Sequence, residues 1–230
     1  VGLEELIARV HGEYARAGMP SWPPPRPDGA EAREEEYSRV SDVHKYRVVH
    51  ARARAWTTAL ADLPGVRVEH RGPVDGVAQA YSDLPGSFDR ATHLTCDRSG
   101  TLPLVLLERD AVSYEHGDSV DLLQITVGEP PFPVDMQPDC GCDACDVGSA
   151  GLLEAIDDRV VEIVGGPFVT VRGRRWSATW HPDGGGMSGS PRAPHGFTSV
   201  MAACRRLAAG EAARLPEGCA VQVGHAWIDR

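Results

Sequence analysis

Positive charge is scarce in this sequence: Lys45 is the single lysine, and 23 basic residues against 33 acidic ones give a formal charge of -10. Such a balance repels phosphate backbones and anionic membrane surfaces, which argues against nucleic-acid and membrane partners. The cluster Arg172, Arg174 and Arg175 is too small to reverse this and reads as a solvated hairpin tip. Long apolar runs are missing too, and the first residues mix apolar with acidic positions where a secretory leader would be basic. The expectation is a soluble, cytoplasmic protein whose partner is a small molecule or another protein. Arginine in place of lysine, with abundant Ala, Gly and Pro, is a codon signature of a GC-rich bacterial genome rather than a physical demand.

Familiar catalytic signatures are absent as well. There is no G-x-x-x-x-G-K-S/T phosphate loop and no H-E-x-x-H zinc helix. Gly186-Met187-Ser188-Gly189-Ser190 only superficially matches a serine elbow, because its register is wrong and no strand leads into it. Aromatic residues are 6% of the chain, yet Trp176, Trp180 and Trp227 crowd its last third. A small-molecule cleft or simple core packing would each explain them.

Hydrophobic residues fill 42% of the 230 positions, enough for a sizeable core. Leu3, Leu6, Ile7, Val10 and Tyr14 recur at helical spacing until Gly18 and Pro20. A proline-rich connector, Trp22 to Pro27, and an acidic stretch, Glu31 to Glu36, precede a helix through Val49, Ala53, Trp56, Leu60 and Leu63. From Val66 the pattern changes to short β-rich runs: Val66 to His70, Ala91 to Cys96, Leu102 to Glu108, Ala111 to Glu115 and Val120 to Val127. Short links between the last four predict an antiparallel meander. Next come a helix through Leu152, Ile156, Val160 and Ile163, a hairpin of Phe168 to Val171 with Trp176 to Trp180, and a flexible loop from Gly184 to Gly189. A helix through Val200 and Cys204 and a strand from Cys219 to Ile228 close the chain. The fold class is α+β, an antiparallel β meander flanked by helices with a cysteine-rich loop. The expected organisation is one domain over 1–230, with a helical part (1–64), the meander (66–128), the cysteine loop (138–149) and an α/β C-terminal part (150–230).

Three of the six cysteines, Cys140, Cys142 and Cys145, fall within six residues. Cys142 and Cys145 have the C-x-x-C spacing that turns two sulfurs toward one ion, and Gly141 gives Cys140 the backbone freedom to add a third. Asp139, Asp143 and Asp146 oppose thiolate formation, whereas a divalent cation deprotonates the thiols outright. Ser149, read as a helix N-cap, pulls the other way, since the positive helix end lowers a nearby thiol pKa. A Zn2+ site is therefore favoured over a Cys140–Cys145 disulfide, unliganded thiols or a dithiol redox pair. Its fourth ligand is left open among His181, His225, Cys96, Cys219 and water. Cys204 lies on a helical stripe as a buried thiol, and His116 with Asp118 reads as turn chemistry more than metal binding.

The run Pro138-Asp139-Cys140-Gly141-Cys142-Asp143-Ala144-Cys145-Asp146, with Glu35-Glu36-Tyr37-Ser38-Arg39-Val40-Ser41-Asp42 and Lys45-Tyr46-Arg47, resembles an uncharacterised actinobacterial family of unknown function. That resemblance covers about Glu34 to Ile163; it implies a shared scaffold and cysteine loop and carries over no catalytic residue. Two function classes compete. One is a noncatalytic zinc protein with a closed structural site; the other is a metalloenzyme with an open fourth position and a C-terminal substrate pocket, His181, His225 or Asp183 assisting proton transfer. Three thiolates neutralise much of the charge of zinc and make it a poor Lewis acid, which favours the first.

Overall fold

The computed structural model of the chain describes residues 1–26, 29–75, 87–111, 113–114, 117–189 and 196–229. Helix α1 (Leu3–Arg16) carries Glu4 and Glu5 in its first turn and Arg16 in its last, the charge order that suits a helix dipole. It packs beside α2 (Val48–Ala61), and α2 packs in turn on α3 (Gly148–Gly165). Facing them is a five-stranded sheet of β1 (Val66–Arg71), β2 (Arg90–Cys96), β3 (Leu104–Arg109), β4 (Leu122–Val127) and β5 (Phe132–Gln137), each antiparallel to the next in chain order.

Strand β3 shows how its two faces divide. Leu104 and Leu106 enter the core beneath the helices, with Trp56, Leu60, Leu123 and Ile156. Val105 and Leu107 join a smaller cluster with Phe88 and Ala91. This is the period-two alternation of a strand with apolar contacts on both sides. At the helix side, Arg52 is only 1% exposed, a position that demands a partner. Asp157 of α3 supplies it, accepting from Arg52 Nε at 2.7 Å and from Trp56 Nε1 at 2.7 Å.

The second sheet has the order β8-β7-β6-β9, from β6 (Phe168–Arg172), β7 (Trp176–His181), β8 (Gly184–Gly189) and β9 (Ala220–Gly224). Helix α4 (Phe197–Ala208) covers it through Val200 and Cys204, which meet Val169, Val171, Trp176, Ala178 and Trp180. Trp176 and Trp180 are thus packed into this core. The Arg172–Arg175 segment is the expected hairpin turn, closed by Gly173 N donating to Trp176 O at 2.9 Å.

The meander and its flanking helices stand as expected from the sequence; several boundaries differ. Ala111 to Glu115 is not a strand of the large sheet: Ser113–Tyr114 pair with Gly117–Asp118 in a two-residue ladder, and Glu115 lies outside the described residues. The fifth strand is instead Phe132–Gln137, hidden in the sequence by Pro133. It lies at the sheet edge, where a missing N–H is tolerated, and a register shift at Ile125/Thr126 accommodates it. Gly184–Gly189 is a strand rather than a loop, paired to β7 through backbone groups from His181↔Gly184 to Trp176↔Gly189. The final strand stops at Gly224, after which His225 N turns to Gly100 O (2.9 Å) and Trp227 N to Val164 O (2.8 Å). Trp227 consequently enters the first core and leaves the face of Val221 and Val223. Among the described residues, no helix is long and apolar enough to cross a membrane.

Candidate metal centre

The cysteine loop lies between β5 and α3 and makes one short 3-10 turn, Asp143–Cys145. Cys145 N donates to Cys142 O at 3.1 Å, which closes the C-x-x-C turn. The three sulfurs lie within 4.8 Å of one another, with those of Cys140 and Cys142 3.2 Å apart. That separation is well beyond a disulfide bond of about 2.05 Å, and all six cysteines are free. Cys142 is buried; Cys140 and Cys145 are exposed. Gly141 is required by space rather than by positive φ: a β-carbon there would stand 2.8 Å from Val120 Cγ1.

Burial pushes the Cys142 thiol up, but hydrogen bonding with Cys140 and Cys145 and with the Cys145 and Ala144 amides outweighs it and holds the group low. Cys145 moves the opposite way, to about 12, through its hydrogen bond with Cys142 and its own desolvation. Cys142 and Cys145 thus share one hydrogen-bonded group yet shift in opposite directions. A cation that binds all three removes their mutual repulsion.

Asp143 and Asp146 do not face this problem as the sequence suggested. Asp143 is clasped by Arg39 Nε (2.6 Å), Ser41 N (2.9 Å) and Ser41 Oγ (2.6 Å), while its own N–H donates to Arg39 O at 2.8 Å. Desolvation opposes its charge, yet Ser41 and Arg39 bring its pKa to about 2. Asp146 accepts from Lys45 Nζ (2.5 Å), Trp22 Nε1 (2.9 Å) and Gly148 N (2.8 Å), and Lys45 and Trp22 likewise outweigh its burial. Tyr46 donates its hydroxyl to Gly141 O at 3.1 Å, and Arg26 reaches the carbonyls of Asp143 and Ala144. Desolvation and the nearby carboxylates raise the Tyr46 pKa, so this hydroxyl keeps its proton to donate.

Ser149 is not the helix cap. α3 begins at Gly148, whose N–H is held by Asp146, and Ser149 Oγ accepts from Trp22 N at 3.1 Å. Gly148 sits at φ +79°, and a β-carbon there would meet Pro24 N at 2.6 Å, so the connector lies directly on the helix start. Trp22 and Arg26 are the supporting residues that local sequence reading assigned no role at the loop. The signal was the Lys45-Tyr46 and Arg39-Ser41 motifs, which lie against the cysteines only in space.

The fourth-ligand candidates stand elsewhere. His225 approaches Gly100, Cys96 ends β2 opposite Val66, and Cys219 packs in the α4 core. His181 Nε2 lies 3.0 Å from Glu162 Oε1, between cavities of about 370 and 550 Å3; Asp183 lines the larger. His116 and the Asp118 side chain lie outside the described residues. Among the described residues, no histidine, carboxylate or further cysteine joins the three thiols within their 4.8 Å group. A cleft of about 190 Å3 opens beside them instead, lined by Tyr46, Gln137, Asp139, Cys140, Cys145 and Leu152.

These thiols can hold a metal ion: soft donors, correctly spaced, on a loop whose Asp143 and Asp146 are already paired. Neither a curated protein nor a solved structure matches the chain. A family model does, over residues 10–230, and the chain belongs to that family, a family of unknown function designated DUF6226.

Proposed function

We propose that this protein binds one Zn2+ through Cys140, Cys142 and Cys145, with water or a small ligand from the adjoining cleft as the fourth donor, and that the ion has a structural and binding role. One observation carries the reading: three sulfurs converge on a loop whose buried carboxylates are engaged by Arg39, Ser41, Lys45 and Trp22. The donor arrangement is therefore built into the fold, and cation binding adds the charge it lacks. The cleft gives a catalytic reading its support. Against it stand the weak Lewis acidity of a tris-thiolate ion and the engagement of Tyr46 and Asp146 in bracing the loop.

The same reading takes residues 1–230 as one α+β unit, supported by Trp227 and Ile228 sharing a core with Leu6 and Val10. Six unbridged cysteines support a reducing, cytoplasmic compartment. The test is elemental analysis of chelator-free protein joined to X-ray absorption. About one zinc per chain, bound by three sulfurs and one lighter donor, is the expected result. A metal content unchanged by Cys142→Ser would overturn the proposal.

A further inference from the structure

A second group of ligating side chains lies where α2 meets the β3–β4 connection. His50 of α2 is 4% exposed, and its Nε2 is 2.9 Å from Leu122 O. A carbonyl only accepts, so Nε2 carries the hydrogen and a neutral His50 presents the lone pair of Nδ1. Among the described residues that nitrogen has no hydrogen bond. It faces Asp110 Oδ1 at 3.7 Å, Asp121 Oδ1 at 3.8 Å and Glu108 Oε2 at 3.9 Å.

These separations are too long for hydrogen bonds. They suit atoms sharing an ion, because two donors each about 2.1 Å from a cation can stand up to about 4.2 Å apart. The ligand atoms of His50, Asp110 and Asp121 also lie within 4.8 Å of one another. We propose that His50, Asp110 and Asp121 form a second metal site, which takes a divalent cation of the manganese type through one imidazole nitrogen and carboxylate oxygens.

The surroundings resemble the outer support of a metal site. The Nε2–carbonyl contact fixes the ring with Nδ1 inward, and Ala111 N holds Asp121 Oδ1 at 3.0 Å. Arg90 grips Asp110 through Nη1 (2.8 Å) and Nη2 (2.5 Å) and also reaches Glu108. Each carboxylate oxygen has two lone pairs, so the guanidinium orients Asp110 without using all its acceptor capacity. Arg54, 3.6 Å from Glu108, is the second cation, so three carboxylates face two guanidinium groups. Asp110 is half exposed and gives the site an open side for water, which hard cations retain. Oxygen-rich donors with one imidazole suit manganese, whereas the three thiols suit zinc, so the two sites select different ions.

The test titrates zinc-loaded wild-type protein with Mn2+, following free ion by electron paramagnetic resonance and the bound ion by its pulsed spectrum. Expected are about one Mn2+ per chain and coupling to a single imidazole nitrogen. Asp110→Asn and Asp121→Asn should each weaken binding about tenfold or more, while Glu34→Gln on the exposed surface should not. Manganese bound without nitrogen coupling, or with an affinity indifferent to Asp110→Asn, would overturn the site and leave a buried ion-pair network. The nitrogen signal is read on the wild type, so the outcome does not depend on any variant folding.

Discussion

Arg39 and Asp143, 104 positions apart, meet with Nε 2.6 Å from Oδ2. Their contact turns two separate sequence motifs into one structure: the Glu35–Asp42 and Lys45–Arg47 segments form the receptacle, and the cysteine loop is what it holds. A salt bridge with Arg39 half exposed contributes little alone; the worth of this one lies in the two hydrogen bonds from Ser41 that share the carboxylate.

Removing that carboxylate should affect both stability and metal. Asp143→Ala is expected to cost about 1–3 kcal/mol in urea unfolding. Zinc affinity, read by competition with a chromophoric chelator, should fall about 10- to 100-fold through loss of the loop's support. An unchanged affinity would separate the clasp from the thiols.

Zinc itself should act as a stabilising ligand. At a hundredfold excess over its Kd, an ion that binds only the folded chain adds about 2.7 kcal/mol. For a protein of this size that raises the melting midpoint by roughly 5–10 °C, and a chelator should reverse the shift. Cys142→Ser should show no zinc-dependent shift in the same calorimetric scan.

Gly148→Ala tests the seating of the proline connector on α3. The residue would carry a side chain at φ +79° and press it against Pro24 N, where the space is 2.6 Å. A loss of about 1–3 kcal/mol is expected. Gly12→Ala, within α1 and with open space around it, should be neutral or stabilising.

Asp157→Ala should be the most damaging single change among these. It strips the partner from Arg52, which is 1% exposed, and from Trp56 Nε1. About 3–5 kcal/mol is the usual cost of leaving a buried charge unpaired. Chemical denaturation measures it directly.

A pH dependence follows from Cys204, fully buried on the inner face of α4, whose thiol desolvation pushes up to about 11. In the unfolded chain the group ionises near its ordinary value, about 8.5. Above that pH the unfolded state binds fewer protons than the folded one, so stability falls until the folded thiol also ionises near 11. The wild type should lose on the order of 1 kcal/mol more than Cys204→Ala between about pH 8.5 and 10. Parallel urea titrations at the two pH values check the difference.

Most of the large sheet and its helices were legible because their signals are local: period two in Leu104–Leu107, period 3.6 in Leu152, Ile156 and Val160. β5 and β8 were not, since Pro133 and the glycines of Gly184–Gly189 carry the marks of turns while an edge position and backbone pairing made them strands. The thiols were visible for the same local reason. Their acidic neighbours were misjudged because the charges that neutralise Asp143 and Asp146 lie about a hundred residues upstream. Spacing in sequence says nothing of that.

The clasp has a temporal consequence. Every group that receives the cysteine loop, from Trp22 through Arg39 to Tyr46, precedes it in the chain, and the last contact of the set is Ser149 with Trp22. On a ribosome the cradle has left the exit tunnel well before Cys140 is translated. The loop can settle at birth, while the second sheet is still unmade.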